Sequence, residues 1–225
     1  MLKKMLRSSI APVLLFVLAA GLIGYGGIKA VQAAPRIQSE VWGAQVQLSS
    51  IATALVENEV VVEGDDTLLL DTFREANGLD EGYTNFKVGQ KYAEVLKAQN
   101  TGVIDEYVRV TVYKYWADAE GNELKDTKLN PGLIKVNFVT GNGWTIDEAA
   151  STEERTVLYY ATPIVPEQRT SEFVDSITID PAARKIIEGE TYKYDGTSFH
   201  IKATVDAVQT HNGQEAMTGA WGRTN

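Results

Sequence analysis

Two histidines, thirty carboxylates and no cysteine set the chemistry open to this 225-residue chain. A hydrolytic zinc centre needs clustered nitrogen and carboxylate ligands, but His200 and His211 stand apart and no His-Glu-x-x-His run exists. Alternation puts His200 on the polar face of a strand and His211 in a turn, so both read as structural or exposed. The Gly-x-Ser-x-Gly elbow of a serine hydrolase is absent; Gly189-Glu-Thr-Tyr192 and Gly196-Thr-Ser-Phe199 read as turns. Gly24-Tyr-Gly-Gly27 opens no strand-to-helix unit, so it cradles no phosphate. Without cysteine there is no thiol nucleophile, disulfide, lipid-attachment site or thiolate metal ligand.

The acids offer two further chemistries. A glycosidase pair must face across a cleft, whereas Asp65, Asp66, Asp105, Glu106, Asp147, Glu148, Glu153 and Glu154 sit mostly beside one another at turns, where solvation explains them. Asp118-Ala-Glu-Gly-Asn122 resembles a calcium loop, but its glycine stands fourth where an EF-hand requires it sixth. A hairpin-type turn is the better account, with calcium binding as the alternative. No catalytic residue, metal site or cofactor is expected.

Recognition is the remaining possibility, and it rests on one strand. Asn100-Thr-Gly102 supplies a turn, and Tyr107 to Trp116 then alternates, with Val108, Val110 and Val112 on one face and Tyr107, Arg109, Thr111, Tyr113 and Tyr115 on the other. The valine face suits a core. The second face is either a wet ladder of snorkelling side chains or a surface that something else covers, and Tyr107, Tyr113 and Tyr115 are its candidate contacts.

The elements around that strand are short and punctuated by Gly, Asn and Pro. Ile51 to Val62, Leu133 to Val139, Thr156 to Ala161, Phe173 to Ile179 and Phe199 to Gln209 read as strands, with Phe199, Ile201, Ala203, Val205 and Ala207 sharing one face of the last. The adjacent Tyr159 and Tyr160 must point to opposite faces. Asp71 to Gly82 reads as a polar loop and Gln214 to Trp221 as a short helical or irregular tail. Asp180 as cap, Pro181 at the first position and Gly189 as stop predict one short helix near 181–188. The sum is an all-β sandwich, with a jelly-roll arrangement as the expected form.

Residues 1–33 read as a signal peptide: Lys3, Lys4 and Arg7, an uncharged run from Ser8 to Ile28, then Val31-Gln-Ala33 as a small-x-small cleavage site. An uncleaved anchor is the alternative, since the 21-residue run is long enough to cross a bilayer. Either way the rest, residues 34–225, is expected as a single extracellular domain, secreted or at the cell surface. Of the 21 basic residues, 4 lie in residues 1–33 with no acid, leaving 17 against 30 acidic ones, a net charge of −13. That charge opposes binding to nucleic acid and to anionic lipid, so any membrane contact is expected through the N-terminal segment alone.

Two stretches carry a family resemblance: Asn100-Thr-Gly-Val-Ile-Asp-Glu-Tyr-Val-Arg-Val110, and Asp206-Ala-Val-Gln-Thr-His-Asn-Gly-Gln-Glu-Ala-Met-Thr-Gly-Ala-Trp-Gly222. Residues 86 to 222 resemble the Gram-positive exported proteins whose alternate signal peptide is cut by a SipW-type peptidase, among them the TasA and camelysin-like biofilm matrix proteins. Of the Gly-Gly-Thr-x-Ala-x-Phe run usual near the cut in that group, Gly26-Gly27 remains here. The resemblance implies a non-enzymatic matrix or surface protein, self-associating or bound to other surface proteins, and fibres in which one subunit's N-terminal segment completes the next subunit's sheet. The donor would be Ala34 to Leu48, presenting Ile37, Val41, Val46 and Leu48; the same stretch is otherwise the first strand of its own sandwich. A monomeric domain that recognises glycan or protein is the alternative function.

Overall fold

The computed structural model describes residues 50–62, 67–68, 71–118, 120–124, 129–184, 194 and 196–223, with backbone alone at 67, 68 and 71. Among these, the strands are β1 (Thr53–Glu57), β2 (Val60–Val62), β3 (Thr67–Leu68), β4 (Lys91–Asn100), β5 (Glu106–Ala117), β6 (Ile134–Phe138), β7 (Trp144–Ile146), β8 (Arg155–Tyr160), β9 (Val174–Ile179) and β10 (Ser198–Gln209). They form two antiparallel sheets, ordered β2-β1-β4-β9-β6 and β3-β10-β5-β8-β7. The fold is an all-β sandwich.

Alternation explains the packing of its centre. β5 and β10 pair over twelve residues, with Val108 opposite Ala207, Val110 opposite Val205 and Val112 opposite Ala203. The three valines are buried against Leu96, Ala98, Ile134 and Val174 from the facing sheet. Each such side chain, once buried, contributes about 1.5–3 kcal/mol of transfer free energy. Tyr159 and Tyr160 do point opposite ways, Tyr159 to Trp221 and Tyr160 to Trp144. Trp144 closes its end of the core, packing edge-on to Phe173 at 5.2 Å while its indole N–H donates to the Ser171 carbonyl at 2.9 Å.

Helical content differs from the sequence expectation at two places, while the tail takes the helical one of its two expected forms. The stretch read as a loop from Asp71 opens with α1 (Asp71–Ala76). Its C-terminus is a Schellman motif: Gly78 takes φ +61°, the Leu79 amide donates to the Arg74 carbonyl at 3.0 Å and the Gly78 amide to Glu75 at 3.2 Å. Phe73 then anchors the helix edge-on to Tyr92 and Phe199. The tail is α2 (Gly213–Trp221), stopped by Gly222 at φ +67°. Near 181–188, Pro181–Arg184 forms a 3₁₀ turn, its Ala182 amide capped by the Asp180 carboxylate at 2.8 Å; residues 185–188 lie outside the described residues.

Candidate functional site

The outer face of β5 and β10 carries the side chains singled out by alternation. Register places Arg109 opposite Asp206, Thr111 opposite Thr204, Tyr113 opposite Lys202 and Tyr115 opposite His200. All of these but His200, together with Glu123, line a groove of about 530 Å³. Thr111 and Thr204 are small and form its floor. One wall is charged: Arg109 donates through Nε and Nη2 to Asp206 Oδ2 at 3.1 and 2.7 Å, and its guanidinium lies 5.4 Å from the centre of the Trp221 ring. The other wall is aromatic: Tyr115 stacks on His200 at 5.4 Å and 9°, and Tyr113 is 39% exposed.

Electrostatics harden the aromatic wall. Burial, with the Glu123 carboxylate adding, pushes the Tyr115 phenol up, so it stays a neutral donor. Burial also lowers the His200 pKa, which keeps the imidazole neutral; Nε2 lies 3.0 Å from Ser198 Oγ and Nδ1 has no partner. A serine and a neutral histidine at this distance lack the third, orienting acid of a hydrolase. What the groove offers is a planar apolar wall beside paired hydroxyls and fixed charges, which suits a polar ligand with flat faces.

Tyr107 is not part of it. Its ring packs at the start of α2, where a Cβ at Gly213 would stand 2.7 Å from Tyr107 Cε2. The donor-strand candidates Ile37, Val41, Val46 and Leu48 lie outside the described residues. The Asp118 loop is a hairpin-type turn: Ala117 bridges Glu123, and the Asp118 carboxylate accepts from the Glu120 and Asn122 amides at 3.0 and 2.8 Å. Those bonds, and the Asn122 side chain's first of all, hold its pKa below the usual range. Lys202, Thr204 and Asp206 join the groove through the register of β10, although their alternation was visible in the sequence.

Three carboxyls are buried. Glu106 was read with the turn acids, but it is 0% exposed, and neither carboxyl oxygen has a hydrogen-bond partner. It occupies the inner face at the first position of β5, and burial, opposed in part by the Ala52 backbone amide, pushes its pKa up to about 7. Glu57 and Glu94, on β1 and β4, are 3% and 0% exposed. Burial, then the neighbouring Glu57 carboxyl, pushes Glu94 up to about 9.

At the opposite side of the core a wider recess of about 1010 Å³ opens among Phe73, Phe86, Trp116, Ile179 and Phe199. Its rings already pack on others, Phe86 on Tyr92 at 4.6 Å and on Phe199 at 5.5 Å. No family model, curated protein or solved structure matches the chain. Among the described residues no group of three or more His, Asp or Glu could hold a metal ion.

Proposed function

We propose that the chain is an exported, non-enzymatic structural protein of the bacterial cell surface, which associates with itself or with other matrix proteins by strand addition. The observation that carries this reading is the edge of the first sheet. β2 pairs with β1 alone among the described strands, and its Val60 and Val61 are 53% and 38% exposed. An exposed apolar edge strand is a ready template for another chain. The leader-like residues 1–33, the acidic balance and the resemblance to the SipW-type exported proteins, with their jelly-roll domains, support the same reading.

The test is negative-stain electron microscopy and sedimentation of the chain beginning at Ala34. Filaments, lost when residues 34–48 are deleted while the circular dichroism of a folded domain persists, are the expected result. A monomer at every concentration overturns the reading.

A second reading rests on the groove. Tyr113 and Tyr115 beside Thr111, Thr204 and the Arg109–Asp206 pair suit recognition of a glycan or a peptide by a monomeric domain.

A further inference from the structure

Glu57 and Glu94 have no place in an ordinary core. β1 and β4 run antiparallel with Glu57 opposite Leu96, so Glu94 lies diagonally adjacent on the same inner face. Both carboxyls are buried, at neighbouring positions of paired strands. Oε1 of each has no hydrogen-bond donor, while Asn58 Nδ2 donates to Glu94 Oε2 at 3.0 Å. A carboxyl buried beside a second one ionises at a cost, so Glu94 holds its proton well above the usual carboxylate range.

We propose that the β1–β2 hairpin is a proton-operated latch, in which a proton shared between Glu57 and Glu94 docks the hairpin tip on β4, and loss of that proton lifts the tip and bares the edge of β4. The topology permits this motion, because the hairpin ends its sheet and no other described strand pairs with β2. Its tip is the turn Asn58-Glu59, both residues at positive φ, +47° and +72°. Asn58 is the clasp: its amide donates to the Val95 carbonyl at 2.8 Å, its Oδ1 accepts from the Val95 amide at 2.9 Å, and its Nδ2 reaches Glu94. The carboxyl pair therefore lies directly beneath the contacts that hold the tip.

No described cation is placed to neutralise a second charge there. Lys97 and Arg169 both bind Glu59 on the outer side of the turn, and Arg74 of α1 pairs with Glu75. The groups acting on Glu94 are its own burial, Glu57 and Asn58. β10, packed across from β1, turns Ile201, Ala203 and Val205 inward. Ionisation of both acids thus sets like charges against each other at the tip of the hairpin, where they work against the Asn58 clasp and the Glu59 ion pairs. The β4 residues that pair with β1, Leu96 to Asn100, then present an edge that another strand can join. The inference rests on the sandwich alone and holds whether or not the chain forms fibres.

The test is hydrogen exchange of the full chain at pH 6, 8 and 9.5, corrected for intrinsic rates. The expected result is at least a tenfold loss of protection in β1 and β2 relative to β5 between the lowest and highest pH, and suppression of that loss by Glu94→Gln. Hairpin protection that tracks β5 at every pH overturns the latch, as does a relative loss that survives Glu94→Gln. If Glu94→Gln does not fold, Glu57→Gln takes its place in the comparison, and the profile of the parent chain decides on its own.

Discussion

Replacing Glu106 with Gln should make the protein more stable at pH 8 than at pH 5 relative to its parent, and the size follows from the carboxyl's surroundings. Glu106 is fully buried, both of its oxygens lack partners, and burial raises its pKa from 4.5 to about 7. Below pH 4.5 the acid is neutral in folded and unfolded chains alike, and its contribution to stability is fully present. As pH rises toward 7 the unfolded chain releases the proton while the folded chain keeps it, so stability falls, and it levels off once the folded chain ionises too. The shift corresponds to about 3 kcal/mol at 1.36 kcal/mol per unit. A neutral glutamine has nothing to titrate. The intrinsic cost of the substitution cancels when the variant-minus-parent difference at pH 5 is subtracted from that at pH 8. The assay is urea unfolding followed by tryptophan fluorescence at both pH values. Part of the loss is already complete at pH 5, so the relative gain between the two pH values should be about 2.5 kcal/mol, or roughly 5–10 °C in Tm for a domain of this size. Parallel pH profiles for the two chains would refute the reasoning, since they would mean that the Glu106 carboxylate is satisfied inside the fold.

Asn77→Ala should cost about 2–3 kcal/mol in the same urea assay, because the side chain donates to the Phe73 and Ala93 carbonyls at 2.9 and 2.8 Å and accepts from the Ala93 amide at 2.8 Å, tying α1 to β4. If the groove binds a glycan, Tyr113→Ala and Tyr115→Ala should each weaken binding to a glycan-array hit by about tenfold, with Tyr107→Ala as the unaffected control outside the groove.

The strands were legible because their signals are local. Val108, Val110 and Val112 declare a buried face by period two, and the face survives as drawn, with the same alternation holding from Phe199 to Ala207 across the pairing partner. The helices were less so. Asp71-Thr-Phe-Arg-Glu-Ala76 is too short and too polar to announce a helix, and what fixes it is Phe73 finding Tyr92 and Phe199, together with the Asn77-Gly78-Leu79 stop. Of that, only the Asn-Gly pair was readable in advance, and by itself such a pair also suits a plain turn.

The candidate site shows where reading by alternation stops. Alternation put Tyr107, Tyr113 and Tyr115 on one face, but two rows of strand separate Tyr107 from Tyr113 on that face, and the bend into α2 brings Gly213 against the Tyr107 ring. The groove needs β10 in register, and register is a property of two strands together. The same limit hid the buried acids. Glu94 shares a period-two face with Tyr92, Leu96, Ala98 and Asn100, all of them buried, and Glu106 shares one with the valines of β5. A carboxylate in step with apolar neighbours is a signal in the sequence that burial will raise its pKa. Charge content and turn context, by which Glu106 is read as solvated, weigh less than that phase, because the face of a strand decides which side chains meet water and the proximity of a turn does not.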